Sequence, residues 1–422
     1  MLFRNSFRIY LICLFAGFLP SFSQEKKAER VFFGIDVLRA TDYQILQGKR
    51  IGLLTNPAGV DIYGKSTVSI LKEAHQVNLV ALFGPEHGIY GDEGANVPVL
   101  DKIDKNTGLP VYSLYGKYRK PTGEMLNKID TMVIDLQDIG VRSYTYISCM
   151  RLTMEACFEQ GVEVVVLDRA NPLGGQKVDG PILDRNLRSY VGAFPIPYIH
   201  GLTIGELARI AKETPGWLDI PDTVRKSGIL TVVPMKGWSR EMTWDQTGNS
   251  WKATSPAIPS LSAVLGYAMT GLGCEINSFR HGFGTQYPFR LISHPKVEAQ
   301  SLKRMLGLLP VQGLDFKVLT GESKNGQKTE GVYVIVNNWE QLKPTALSFH
   351  MMRLSCKIEG RNPYQTASQN RITLYNKHVG SNEWWEAIEH SGPNVDVSSF
   401  LKKWDKEASD FQAWSQKFQI YE

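Results

Sequence analysis

Four apolar segments in the first half of the chain each run into a polar cluster, and this repetition constrains the fold more than any other feature. Ile51-Gly52-Leu53-Leu54-Thr55 leads into Asn56, and Leu79 to Phe83 leads into Gly84-Pro85-Glu86-His87-Gly88. Met132-Val133-Ile134 leads into Asp135-Leu136-Gln137-Asp138, and Val164 to Leu167 leads into Asp168-Arg169. Short continuous apolar runs of this kind read as strands covered on both faces. Helical patterns separate them near 65–75 and 145–160, with a further strand at 111–115 and a helix opening at Pro121-Thr122. The alternation predicts an α/β, Rossmann-like doubly wound parallel sheet. Its strand ends share one edge, so the four clusters are expected to converge on one crevice.

Pro195-Ile196-Pro197 interrupts the pattern, and Thr203 with Glu206 forms a capping box that opens another helix. The Pro- and Gly-bearing segment 215–234 is read as the boundary between a catalytic domain over 31–230 and a smaller α+β domain over 235–422 that completes the cleft. With 422 residues and 43% hydrophobic content, the chain can bury two cores. The second half shows one clear buried strand at 332–336. Trp384, Trp385, Trp404, Phe411 and Trp414 are spaced as in helices packed on a core.

Residues 1–23 have the parts of a secretory signal: Arg4 and Arg8 without acids, an apolar run from Ile9 to Leu19, and small residues before Gln24. The run is too short for a stable membrane anchor, so a secreted or periplasmic protein is expected. Leu11 and Ile12 ahead of Cys13 do not fit a lipoprotein signal. Removing the signal takes away two arginines and lowers the net charge from +5 to +3, too mild to point to nucleic acid. Cys149, Cys157, Cys274 and Cys356 lack the spacing of a disulfide scaffold and are expected to be mostly buried thiols. Phosphate loops, dinucleotide fingerprints, zinc signatures and a serine-hydrolase elbow are missing, and neither a cofactor nor a metal is expected.

Glu86 is the strongest candidate for chemistry, because Gly84, Pro85 and Gly88 frame it rigidly where backbone can approach a ligand. Asp135, Gln137 and Asp138 at the next strand end, with Arg142, Tyr144 and Tyr146 just beyond, supply the donors and flat faces that a sugar requires. An Asp138–Arg142 ion pair ordering the loop is the structural alternative. Asp168, Arg169 and Asn171 at the fourth strand end, with Asn56, His87 and His200, complete the candidate binding set. Glu155, farther along the 145–160 helix, is either an ordinary helix glutamate or a second acid.

Taken in order, Leu54-Thr55-Asn56-Pro57, Phe83 to Gly88, Tyr115-Gly116 through Arg119-Lys120-Pro121-Thr122, Asp135 to Gly140, Leu167-Asp168-Arg169 with Asn171 to Gly175, and His200 to Ala208 resemble the exo-β-N-acetylmuramidases of peptidoglycan turnover. The resemblance is dense from about residue 34 to 208. It implies a glycosidase that removes terminal β-linked N-acetylmuramic acid from the non-reducing ends of peptidoglycan fragments, with its site in a cleft between a Rossmann-like domain and a smaller one. It places the catalytic glutamate at Glu86, and Glu155 is the expected second glutamate. Phe283 stands where the family usually has an arginine, with Arg280 and His281 close by. Asp138, Asp168 and the substrate's own acetamido group compete with Glu155 for the second role. Two rival readings use the same residues: a non-catalytic binder of wall sugars, and a metal-dependent hydrolase built on His87, Asp135, Asp138 and His200.

Overall fold

The computed structural model describes residues 30–91 and 102–422, so the expected signal segment with Cys13 lies outside the described residues. Strands β1 (Arg50–Thr55), β2 (Asn78–Gly84), β3 (Lys102–Ile103), β4 (Pro110–Ser113), β5 (Thr131–Asp135), β6 (Glu163–Leu167) and β7 (Leu230–Val233) form one sheet. Its order is β3-β4-β2-β1-β5-β6-β7. Every pairing is parallel except β3 with β4. The chain moves outward from β1 to β2 and β4, then returns to place β5 on the other side of β1. Connections therefore leave β1 and β5 in opposite directions, which opens a crevice beyond their carboxyl ends.

Alternation within the central strands feeds two cores. Leu54, Phe83, Met132, Ile134 and Val166 face one, and Leu53, Leu82, Val133, Val165 and Leu167 face the other. Helices α1 (Gly34–Ala40) and α2 (Thr67–Glu73) cover the second face with Ile35, Leu38, Ile70 and Leu71. After the short α3 (Gly123–Leu126), helices α4 (Tyr146–Glu159) and α5 (Ile204–Glu213) cover the first face with Ile147, Met150, Met154, Leu207 and Ile210. The Thr203–Glu206 capping box forms as expected. A short α6 (Asp222–Ser227) precedes β7.

The second half carries a three-stranded antiparallel sheet of β8 (Leu291–Ile292), β9 (Leu314–Glu322) and β10 (Lys328–Val336), ordered β8-β10-β9. Around it lie α7 (Leu261–Thr270), α8 (Ala299–Gly307), α9 (Pro344–Glu359), α10 (Gln369–Val379), α11 (Asn382–Ser391) and α12 (Val397–Ser415). Beyond β7, Met235, Trp238 and Trp244 still pack with Val31 and Phe33 on the first-half core. A further core joins Val141, Leu173 and Tyr198 of the first half to Ala263, Phe349, Trp384 and Trp404. Cys149, Cys157 and Cys356 are buried, Cys274 is half-buried, and all four are free thiols. Among the described residues no helix is long and apolar enough to cross a membrane.

Candidate active site

At the junction of β1 and β5, the Asn56 amide hydrogen-bonds the backbone of Gln137 in both directions, Nδ2 donating to its carbonyl at 3.2 Å and Oδ1 accepting from its N–H at 3.3 Å. This double bond fixes the two strand ends where their connections diverge. Asn56 also hydrogen-bonds Tyr146, at the start of α4. Tyr146 Oη donates to the Thr254 carbonyl at 2.5 Å, and Tyr144 Oη bonds the Thr254 hydroxyl at 2.7 Å. The two rings meet edge to face at 4.8 Å. Burial without a nearby cation raises both phenol pKa values, so both stay neutral hydroxyls.

Glu86 projects from a four-residue turn closed by the Gly88 N–H on the Pro85 carbonyl at 2.9 Å. His87 in this turn adopts φ +72, a left-handed conformation that costs free energy for a residue with a side chain. The cost is concentrated beside the one acid that the turn presents. Thr145 leaves its own helix end uncapped and donates its hydroxyl to Glu86 Oε2 at 3.0 Å. The Tyr115 hydroxyl is also hydrogen-bonded to Glu86, and burial together with that carboxylate pushes the Tyr115 phenol up to about 12. Glu86 is half-buried and held by two hydroxyl groups, with Tyr146 close by.

Asp138 is the second acid at this edge. Its Oδ2 accepts from the Gly140 N–H at 2.8 Å and stands 3.6 Å from His200 Nε2, while Oδ1 is buried without a hydrogen-bond partner. His200 Nδ1 accepts from the Leu202 N–H at 3.2 Å, which leaves the ring proton on Nε2, facing Asp138. Gln137 Oε1 is likewise buried and unpartnered. Native interiors rarely leave such atoms unmatched, and both follow the carboxyl end of β5.

The other expected residues are engaged in holding the fold. Asp135 is fully buried, receives Arg169 through Nε at 2.5 Å and Nη2 at 2.9 Å, and accepts from the Thr67 hydroxyl. Asp168 accepts from Tyr421 Oη, Thr203 Oγ1 and the Gly205 N–H at 2.6–2.8 Å. Asn171 braces its own turn, donating to Leu202 and accepting from the Leu173 N–H. Arg142 does not pair with Asp138. It is fully buried in a cage of backbone carbonyls from Pro181, Ile196, His378 and Val379 at 2.7–3.0 Å. Glu155 lies ten residues past Thr145 on one helix, about 15 Å along its axis. There it accepts from the Asp219 N–H at 2.7 Å and pairs with Arg151 at 2.8 Å. His87, Asp135, Asp138 and His200 do not assemble as a ligand set: no group of three or more metal-ligating side chains occurs among the described residues.

A cavity of about 490 Å³ opens on the same edge, with Gln137 and Arg169 in its lining and Phe33, Trp244 and Trp251 as apolar walls. That volume suits a small saccharide. Glu86 is not among its lining residues. Asn56 bonds both Gln137, which lines the cavity, and Tyr146, whose surroundings include Glu86. Sequence reasoning did not single out Tyr115, Thr145 or Thr254 as site residues. Tyr115 and Thr145 lie within segments already marked by their neighbours, whereas Thr254 sits in a stretch without periodicity and carries no signal.

A half-buried glutamate held by hydroxyl groups, an aspartate with an unpartnered oxygen, and tyrosine faces at the carboxyl edge of a doubly wound sheet mark an α/β protein whose polar crevice suits a polar ring. Comparison with known proteins narrows the class. Residues 51–262 match the family model described as exo-β-N-acetylmuramidase NamZ, N-terminal, and residues 265–421 match its C-terminal counterpart. The peptidoglycan β-N-acetylmuramidase NamZ of Bacillus subtilis (strain 168) is 37% identical over 405 residues, spanning 94% of this chain and 93% of that protein. Two DUF1343 family proteins of Bacteroides fragilis NCTC 9343 share the fold. One superposes with a TM-score of 0.83 at 38% identity, the other with 0.70 at 26%, each covering 93% of this chain and 99% of the other. The chain belongs to the NamZ family of exo-β-N-acetylmuramidases.

Proposed function

We propose that this protein is a glycosidase that removes β-linked N-acetylmuramic acid from the non-reducing ends of peptidoglycan fragments, with Glu86 as its general acid. The observation that carries the assignment is the Glu86 turn: a single acid on a strained backbone, held by two hydroxyl groups at the crevice edge, in a chain of this family. Glu86 delivers its proton to the glycosidic oxygen as the C1–O bond breaks, and the bonding electron pair leaves with that oxygen. A water molecule then bonds to C1 and gives a proton back to the Glu86 carboxylate, so one water is consumed and the acid is restored. Asp138, with one unpartnered oxygen, takes the second role, either stabilising the charge at C1 or orienting the substrate's acetamido group. Asn56, Gln137, Tyr144, Tyr146 and His200 shape the sugar site. Glu155, Arg142, Asp135 and Asp168 hold the scaffold.

The reading also places the protein outside the cytoplasm, on the strength of residues 1–23, and assigns catalysis to the sheet-bearing half with the second half closing the cleft. The mild net charge gives no support for a nucleic-acid partner, and the short apolar run of residues 9–19 gives none for a stable membrane anchor once the signal is removed. The test is hydrolysis of a chromogenic β-N-acetylmuramide by the wild type and Glu86→Gln. Loss of turnover by a factor of at least about 10² is expected, the usual contribution of a positioned general acid. Undiminished turnover in Glu86→Gln would refute the assignment.

A further inference from the structure

Arg119 stands beside the Glu86 turn and has no part in the steps above. Its guanidinium lies 4.4 Å from the centre of the Tyr190 ring and 5.6 Å from that of Tyr115. The two rings are 6.1 Å apart at 45°, and the Tyr115 hydroxyl is bonded to Glu86. One tyrosine therefore connects this cation to the proposed acid. Arg169, Arg240 and Arg151 each face a carboxylate, on Asp135, Glu206 and Glu155. Arg119 is exposed, and among the described residues it has no carboxylate partner. A guanidinium resting on ring faces keeps its N–H edge turned outward, in the fork geometry that matches a planar carboxylate.

We propose that Arg119 binds the lactyl carboxylate of the sugar whose glycosidic oxygen meets Glu86, and so sets the preference for N-acetylmuramic acid over N-acetylglucosamine. The inference rests on the function proposed above. The lactyl ether is attached at C3 and the scissile bond at C1, on the same ring. The cation that reads the lactyl group must then lie near the acid without touching it, and the Tyr115 side chain enforces that separation.

The test compares the full-length wild type, Arg119→Ala and Arg119→Lys. Calorimetry would give binding of N-acetylmuramic acid, its lactyl amide and N-acetylglucosamine. Kinetics would give kcat and KM on the chromogenic β-muramide and its lactyl amide. The expected result is a preference for the carboxylate form that shrinks by about 10- to 100-fold in Arg119→Ala, mainly through KM, because a charge-assisted pair is lost. Arg119→Lys should restore part of it. An unchanged ratio of carboxylate to amide in Arg119→Ala overturns the proposal even if both values fall together. A wild type that cleaves no β-muramide removes the proposed function instead, and the binding ratio still decides the role of Arg119.

Discussion

Asp138 and Asp168 follow adjacent parallel strands, yet their surroundings separate them. Asp168 is ringed by donors and fully buried, whereas Asp138 keeps one oxygen unmatched and faces His200. Glu155, paired with Arg151, is like Asp168 engaged by protein groups, so conservative amide substitutions at Asp138 and Glu155 should have opposite outcomes. Asp138→Asn should lower kcat on the chromogenic muramide by on the order of 10²-fold with little loss of stability. Glu155→Gln should keep kcat near wild type while costing about 1–3 kcal/mol in chemical denaturation, since it weakens a buried pair with Arg151. A Glu155→Gln enzyme as impaired as Glu86→Gln would sink this division of roles. The identity of the polar residues was legible in the sequence, because each lies directly after an apolar run. Their allegiance was not. Whether an acid after a strand turns to the crevice or to the scaffold depends on partners such as Thr67 and Tyr421, which are far away in the chain.

Helix α5 shows what the buried acids do for the elements. Asp168 accepts from Thr203 and from the Gly205 N–H, so it serves the first turn of α5 from the end of β6. A β-carbon on Gly205 would fall 2.7 Å from the Asp168 carboxyl carbon, so only glycine lets strand and helix approach this closely. Burial is the main cause that pushes the Asp168 carboxyl up to about 6, against the pull of its hydrogen bonds. Its folded pKa exceeds its unfolded one, so the stability linked to it is complete below pH 4 and is lost as pH rises through 6. In urea denaturation, the advantage of the wild type over Asp168→Asn should therefore grow by up to about 3 kcal/mol between pH 7 and pH 4. A difference independent of pH would show that Asp168 titrates as an ordinary exposed acid. At this scale the sequence was informative where burial is two-sided: β1, β2, β5, β6, α4 and the α5 cap all appear where apolar runs and capping residues put them. It was silent for β7 and β9. The former is a four-residue edge strand among prolines and glycines, and the latter carries exposed residues along much of its length.

The halves of the molecule are joined by a buried cation held by backbone carbonyls. Arg142, near the start of α4, donates to carbonyls of Pro181 and Ile196 on one side and of His378 and Val379, at the end of α10, on the other. Burial lowers its pKa to about 10, still far above neutrality, so the charge persists. Gly380 makes room for the group: a β-carbon there would lie within 2.4 Å of the guanidinium. Arg142→Met should cost more than about 3 kcal/mol by chemical denaturation, because several buried carbonyls lose their donor at once. A loss under about 1 kcal/mol would mean that water replaces the guanidinium and that the cage does not join the halves. No pattern in the sequence marks this joint, since its partners are backbone carbonyls, two of them more than two hundred positions away.

The last residues return to the first-half core. The Ile420 N–H donates to Glu206, the Arg240 N–H donates to the carbonyl of Glu422, and Tyr421 reaches Asp168. Tyr421 thus works as a clasp between stretches of chain 253 positions apart, and the acid behind α5 would lose one of its side-chain and backbone clamps if that single hydroxyl were taken away.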